Sequence, residues 1–238
     1  MPNYKDFNSD KTQIIRIEGI LINETPLRVG AGKESSLEAS VDVAVYRVRG
    51  NPCIPGSSLK GVLRTRFEQL ARSAGLRVHG IFGEEGERIT RQEDESNDFC
   101  EVCGTFGNTR LASHVIVRYA YPINGGRTFL KTSVGIDRVF EGARPGVLFT
   151  EELVEPFTEW SFGMDIINID VLPEPREDDN RAKLLKSLLD ELSSLGVYVG
   201  ARRSVGHGLI KLRKWSWSKY SYEKGKLVKV DGSEVKIV

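Results

Sequence analysis

Apolar and polar residues alternate through residues 14–24, with β-branched side chains at most of the apolar positions. Thr25-Pro26 follows as a turn signal, so this segment is predicted to be a strand. A glycine-bearing stretch at 27–32 then gives way to polar residues ending at Asp42. Further on the period changes. Leu59, Val62, Leu63, Phe67, Leu70 and Ala71 recur at helical spacing, with Ser58 as a predicted N-cap and Gly75 as a stop. Residues 79–108 carry no clear period and read as an irregular, acidic insertion. Residues 113–123 alternate as a strand, and residues 124–146, rich in glycine and basic side chains, read as a projecting hairpin or flexible loop. Strand-like runs occupy 148–171. A leucine stripe (Leu184, Leu185, Leu188, Leu189, Leu192) marks a second helix, capped by Asp178 or Asp179 and closed by Gly196. A last strand covers 209–217. The order strand, helix, strands, helix, strand is the βαββαβ pattern of an α+β, ferredoxin-like domain. The chain exceeds such a core, so the excess is assigned to insertions at about 76–110 and 124–146 in one domain spanning 1–238.

Composition changes this picture little. With 238 residues, 39% hydrophobic and 28% charged, the chain can bury a substantial core. No apolar run is long enough to span a membrane, and the first residues are polar, without a signal-peptide core. Three cysteines, an odd number, argue against a disulfide framework and fit a reducing, cytoplasmic setting. Net charge is +1, so any nucleic-acid surface must be a local stripe, offset by acid-rich stretches such as 84–98 and 174–179.

Two motifs supply candidate chemistry. One is IPGSSLKGVLR at 54–64; the other is GARRSVGHG at 200–208. Each joins glycines, which let a ligand approach the backbone, to fixed cations and free N–H groups that suit phosphate. Lys60 and Arg64 lie four residues apart and share one side of the helix. Neither motif is a nucleotide fingerprint: Val62 follows Gly61 where a P-loop needs lysine, and a strand follows Gly208 where a dinucleotide fold needs a helix. Each loop alone reads equally well as a tight turn with a basic flank. Together they point to an extended polyanion site.

These motifs, with VGIDR at 134–138, resemble the RAMP proteins of CRISPR systems, and within them the backbone subunit of type III effector complexes. The similarity runs in order from about residue 14 to residue 211. The resemblance implies an RRM-like core with lid and thumb insertions, a ribonucleoprotein filament of identical subunits on a guide RNA, further effector subunits, and pairing of the guide with target RNA. Guide phosphates would fall to Ser57, Ser58, Lys60, Arg64, Gly200, Arg202, Arg203, Gly206, His207 and Gly208. Arg28, where some relatives carry histidine, would contact RNA without transferring protons. Ile136 and Arg138 would belong to the thumb. Asp42 matches the aspartate needed for Mg2+- or Mn2+-dependent cleavage of target RNA. Against this stands Asp42 as an ordinary solvated loop carboxylate. Two other roles remain open: a non-cleaving scaffold, and a metal-independent endonuclease that processes guide RNA and uses His114 or His207.

Cys100 and Cys103 form a CxxC, half of a tetrahedral zinc site, and His79 lies upstream. Cys53, His114 or a carboxylate is open as the fourth ligand, and two reduced thiols in a loop are the plainer alternative. Trp160, Trp215 and Trp217 read as core or half-exposed strand residues.

Overall fold

Alternation in the first strand places Ile15, Ile17 and Leu21 on a fully buried face, while Arg16 and Glu18 project from the other. The computed structural model describes residues 13–30, 43–139, 141–234 and 236–237. In order they form β1 (Gln13–Asn23), β2 (Arg47–Val48), β3 (Asn51–Pro52), α1 (Gly56–Ser73), α2 (Gly83–Ser96), α3 (Cys103–Phe106), β4 (Val115–Val117), β5 (Thr128–Ile136), β6 (Ala143–Val154), β7 (Glu159–Ile167), α4 (Asn180–Ser194), β8 (Val197–Tyr198), β9 (Leu209–Glu223), β10 (Lys226–Gly232) and β11 (Lys236–Ile237).

The main sheet is antiparallel, in the order β10-β9-β1-β7-β4, with β8 and β11 also pairing with β9. Ile17 lies opposite Met164 on one side and Trp217 on the other, so one register row supplies three core side chains. Leu59, Leu63, Phe67 and Ala71 of α1 and the leucine stripe of α4 complete that core. Truncating one of these leucines to alanine would cost about 2–5 kcal/mol. The opposite face of the sheet is ionic: Arg16 pairs with Asp165, and Arg118 bridges Asp165 and Glu18. Gly163 makes this possible, since a Cβ there would lie 2.5 Å from the Arg118 guanidinium. No described helix is long and apolar enough to cross a membrane.

Several boundaries differ from the sequence reading. The first helix starts at Gly56 with Pro55, not Ser58, at the N-cap. The Pro55 carbonyl accepts from the N–H groups of Ser58 and Leu59, and Gly56 packs where a Cβ would meet the Val117 carbonyl at 2.3 Å. Asp179 caps α4, its side chain accepting from the Arg181 N–H. The insertion expected to be irregular contains α2, whose buried stripe is Gly86, Thr90 and Glu93. A helix that buries no hydrophobic side chain has no hydrophobic period to read. The hairpin is longer than the glycine-rich stretch, because β6 runs on to Val154. At the C-terminal end β9 continues past Trp217 and pairs with β10, a solvent-facing hairpin that the sequence reading did not anticipate.

Candidate nucleic-acid interface and metal centre

The glycine loop is shaped by close backbone contacts. At Gly200 (φ +83°) a Cβ would lie 2.1 Å from the Arg28 carbonyl, and at Gly208 (φ +86°) it would lie 2.0 Å from the Val199 carbonyl. Any side chain is excluded at both positions. The loop therefore lies flat on residues 26–28, held by N–H groups of Ala201 on Arg28 O and Gly208 on Pro26 O. A short 3-10 turn at Arg203–Val205 projects between Arg202 and Gly206.

This packing gathers Arg28, Arg202 and His207 around Glu151 of β6, a residue only 1% exposed. Arg28 reaches Glu151 at 2.5 Å and Arg202 at 2.7 Å; the Arg202 guanidinium also stacks 4.5 Å above the Phe149 ring. Lys131 of β5 approaches His207 Nε2 at 3.4 Å. A lysine can only donate, so Nε2 accepts and the ring proton sits on Nδ1, which is buried and has no partner. Arg28 Nε is likewise buried without an acceptor. Burial, reinforced by Lys131, holds the His207 pKa below its ordinary value. Three permanent cations thus surround one carboxylate, with donors left over. The sequence reading missed Lys131, Phe149 and Glu151, which lie on the hairpin far from either motif.

The same strand β6 borders the segment that leads out of the Asp42 loop. Gly30 bridges Val45, Val43 bridges Glu151, and Glu152 N–H donates to the Val43 carbonyl. Glu152 also accepts from Val45 N–H and from Arg47, contacts that outweigh burial and lower its pKa. Asp42 itself lies outside the described residues.

At α1 the assigned cations take different positions. Lys60 has no carboxylate partner among the described residues, and burial together with Arg64 depresses its pKa, so a bound anion would be welcome. Ser57 and Ser58 occupy the first turn, where no acidic residue competes. Arg64 instead turns toward the insertion, donating to the Gly107 carbonyl at 2.6 Å and to Glu68. Arg203 and Ser204 line one cleft of about 340 Å³ with Val62, Thr65 and Arg66, which brings the two glycine motifs to a shared surface. On the hairpin, Leu130, Val134 and Ile136 are exposed on the face away from Lys131, and Arg138 lies in the turn beyond Ile136.

The insertion brings His79, Cys100 and Cys103 together and adds Glu93, with ligand atoms all within 4.8 Å of one another. His79 Nδ1 faces the Gly80 carbonyl at 2.7 Å and must donate there. A neutral ring then aims the Nε2 lone pair at Glu93 Oε2 (3.0 Å) and Cys103 Sγ (3.6 Å). Acceptors crowded together in this way need a proton or a metal cation between them. Burial pulls His79 down, but the Gly80 carbonyl, Cys100 and Glu93 carry its pKa above the ordinary value. Contact with Cys100 lowers the Cys103 thiol, while the same contact and burial push Cys100 up. Two thiols, an imidazole nitrogen and a carboxylate oxygen are the number and kind of ligands that a four-coordinate Zn2+ would take. The two named alternatives lie elsewhere. Cys53 is buried outside the cluster, and His114 is fully buried against the Ile167 carbonyl.

The family model described as the RAMP superfamily matches residues 21–211. A curated relative, the CRISPR system Cms endoribonuclease Csm3 of Methanocaldococcus jannaschii, is 30% identical over 210 residues, covering 83% of this chain and 77% of the relative.

Proposed function

The chain belongs to the RAMP superfamily, and on that premise we propose that it is the guide-RNA-binding backbone subunit of a type III CRISPR ribonucleoprotein. In this reading it forms a filament with copies of itself on the guide, joins other effector subunits in the cytoplasm, and cleaves paired target RNA. The observation that carries the reading is the foot of the hairpin: Arg28, Lys131, Arg202 and His207 surround Glu151, with Val43 bridged to the same strand. A phosphate would meet the exposed parts of Arg202 and Lys131 at the rim of this cluster, with the buried His207 Nδ1 and Arg28 Nε beneath them. Lys60, Arg203, Ser57, Ser58 and the loop glycines extend the grip along the backbone, giving affinity without sequence preference, while Arg64 is engaged by Gly107 and Glu68.

The core supports a ferredoxin-like reading, because β1, α1, β4, β7, α4 and β9 follow in chain order and the sheet order is β9-β1-β7-β4. On it, the 76–110 segment is a lid built on structural Zn2+ held by His79, Glu93, Cys100 and Cys103, and the β5–β6 hairpin is a thumb carrying Ile136 and Arg138. For cleavage, Asp42 would hold one divalent cation together with RNA phosphates, a pattern typical of Mg2+. Such a cation supplies charge neutralisation at the phosphorus and a more acidic attacking hydroxyl. The protein's own task is to fix the phosphate with Arg28, Arg202 and His207 while the thumb turns the backbone into line.

The test uses the assembled complex with its guide. Wild type should cut paired target at regular intervals in Mg2+ or Mn2+, and Asp42→Ala should keep RNA and assembly while losing at least about a hundredfold in cleavage. Undiminished cutting by Asp42→Ala would remove the assignment. Cutting that survives a strong chelator would favour the guide-processing endonuclease with His207. Complex that never cuts would leave the scaffold.

A further inference from the structure

Beside the start of α1 lies a patch of tyrosines that neither motif includes. Ala120 is fully buried, whereas Tyr119 and Tyr121, on either side of it, are 44% and 42% exposed. Residues two apart in an extended segment share a face. Their rings are stacked, with centroids 6.3 Å apart and planes within 20° of each other. A third tyrosine, Tyr46, hydrogen-bonds Tyr119 through its side chain, and this contact raises the Tyr46 phenol above its ordinary pKa. Tyr46 follows Asp42 by four residues.

The backbone beneath these rings is fixed. Ile54 and Ala120 exchange N–H···O bonds of 2.9 and 3.0 Å, Tyr121 N–H donates to Ser161 Oγ, and Gly56 packs on the Val117 carbonyl. The strand that presents the tyrosines therefore also seats the first turn of α1, where Ser57, Ser58 and the unpaired Lys60 lie. Two flat, half-exposed rings add little to the core they border. Next to a cationic, donor-rich helix start, they fit a ligand that carries both a phosphate and a planar apolar face.

We propose that Tyr119 and Tyr121 are a stacking platform for unpaired RNA bases. The proposal rests on the RNA-binding reading above and adds a second mode of contact to it. Aromatic stacking is tolerant of base identity, so it raises affinity without imposing a sequence. It also responds differently from phosphate contacts, because stacking releases no counterions.

The experiment titrates the full chain with a labelled single-stranded RNA and, in parallel, with one containing 2-aminopurine, whose fluorescence is quenched on stacking. The double variant Tyr119→Leu/Tyr121→Leu should bind about tenfold more weakly and lose quenching, with the salt slope unchanged. The double variant Tyr119→Phe/Tyr121→Phe should match wild type, which separates stacking from misfolding and from phenol hydrogen bonds. Lys60→Ala is the reference for phosphate contact and should reduce the salt slope. Leucine variants that bind and quench like wild type, or phenylalanine variants as weak as the leucine ones, would overturn the platform alone. Wild type that binds no RNA would overturn the RNA-binding reading and the platform together.

Discussion

Two buried glutamates organise this molecule, and their surroundings are opposite. Glu93 is 3% exposed and Glu151 is 1% exposed. At Glu93 one oxygen accepts from the Cys100 N–H and lies 3.4 Å from Arg77, while the other, Oε2, faces the His79 lone pair and lacks a donor. Around Glu151 stand two guanidiniums, with Lys131 and His207 beyond them, so cations outnumber the one carboxylate, although Glu151 Oε2 as well as Arg28 Nε and His207 Nδ1 lack hydrogen-bond partners. A carboxylate taken out of water must be compensated in either case. The balance of charge, more than the unsatisfied atoms, separates the proposed ligands: a cation would complete the first site, and an anion would suit the cations gathered at the second. Burial of an acid alone would have said neither.

The strongest way to break this comparison is to remove the proposed metal. A chelator should lower the melting temperature by about 10 °C, since occupancy far above the dissociation constant is worth about 3–4 kcal/mol and each kcal/mol shifts a chain of this size by about 2–4 °C. Elemental analysis of protein purified without chelator should show zinc. A metal-free protein with an unshifted melt would leave Glu93 as a buried acid neutralised by protonated His79.

A smaller effect sharpens the contrast through paired substitutions. Glu151→Gln keeps the shape but turns two charge-assisted contacts into neutral ones, and should cost about 1–3 kcal/mol whether or not metal is present. Glu93→Gln should destabilise the metal-loaded protein more than the stripped one, where protonated His79 and Arg77 are the only charges that the carboxylate would still serve among the described residues. Denaturant melts of both variants in both states check the difference. Identical behaviour at the two sites would dissolve the distinction drawn here.

The sequence disclosed each cluster unevenly. Cys100, Cys103 and His79 were legible because their chemistry is narrow, Arg202 and His207 because glycine and charge coincide at 200–208, and Arg28 only through the family resemblance. Glu93 and Glu151 were not, since an acid in a polar helix or an exposed-looking hairpin carries no mark of burial. Tertiary packing alone puts them inside: α2 turns Gly86, Thr90 and Glu93 toward the core, and β6 sets Glu151 against the glycine loop. The fold was more legible. β1, α1 and α4 followed from periodicity, and the RAMP resemblance read from IPGSSLKG and the glycine loop agrees with the family match. The C-terminal hairpin escaped because β10 is exposed along its whole length and buries no side chain to mark it.

The finest test turns on one proton at His207. In the folded protein burial, then Lys131, Arg202 and Arg28, hold its pKa below the ordinary 6.5, while Glu151 opposes them. The unfolded chain therefore takes up the proton first as pH falls. The stability that His207 contributes is complete above pH 6.5 and is lost as pH drops through its depressed folded value. His207→Gln should flatten this acid-side loss, measured in metal-loaded protein so that His79 stays coordinated. RNA affinity should move the other way. A phosphate beside the ring favours the imidazolium, so acid strengthens binding even as it weakens the fold. Parallel melts and RNA titrations between pH 7.5 and 5.5 should give opposite slopes in wild type and shallower ones in His207→Gln (a range set by the ordinary histidine pKa of about 6.5). Slopes of the same sign would place the phosphate away from His207, and the unpaired Nδ1 would then belong to the fold and not to the RNA.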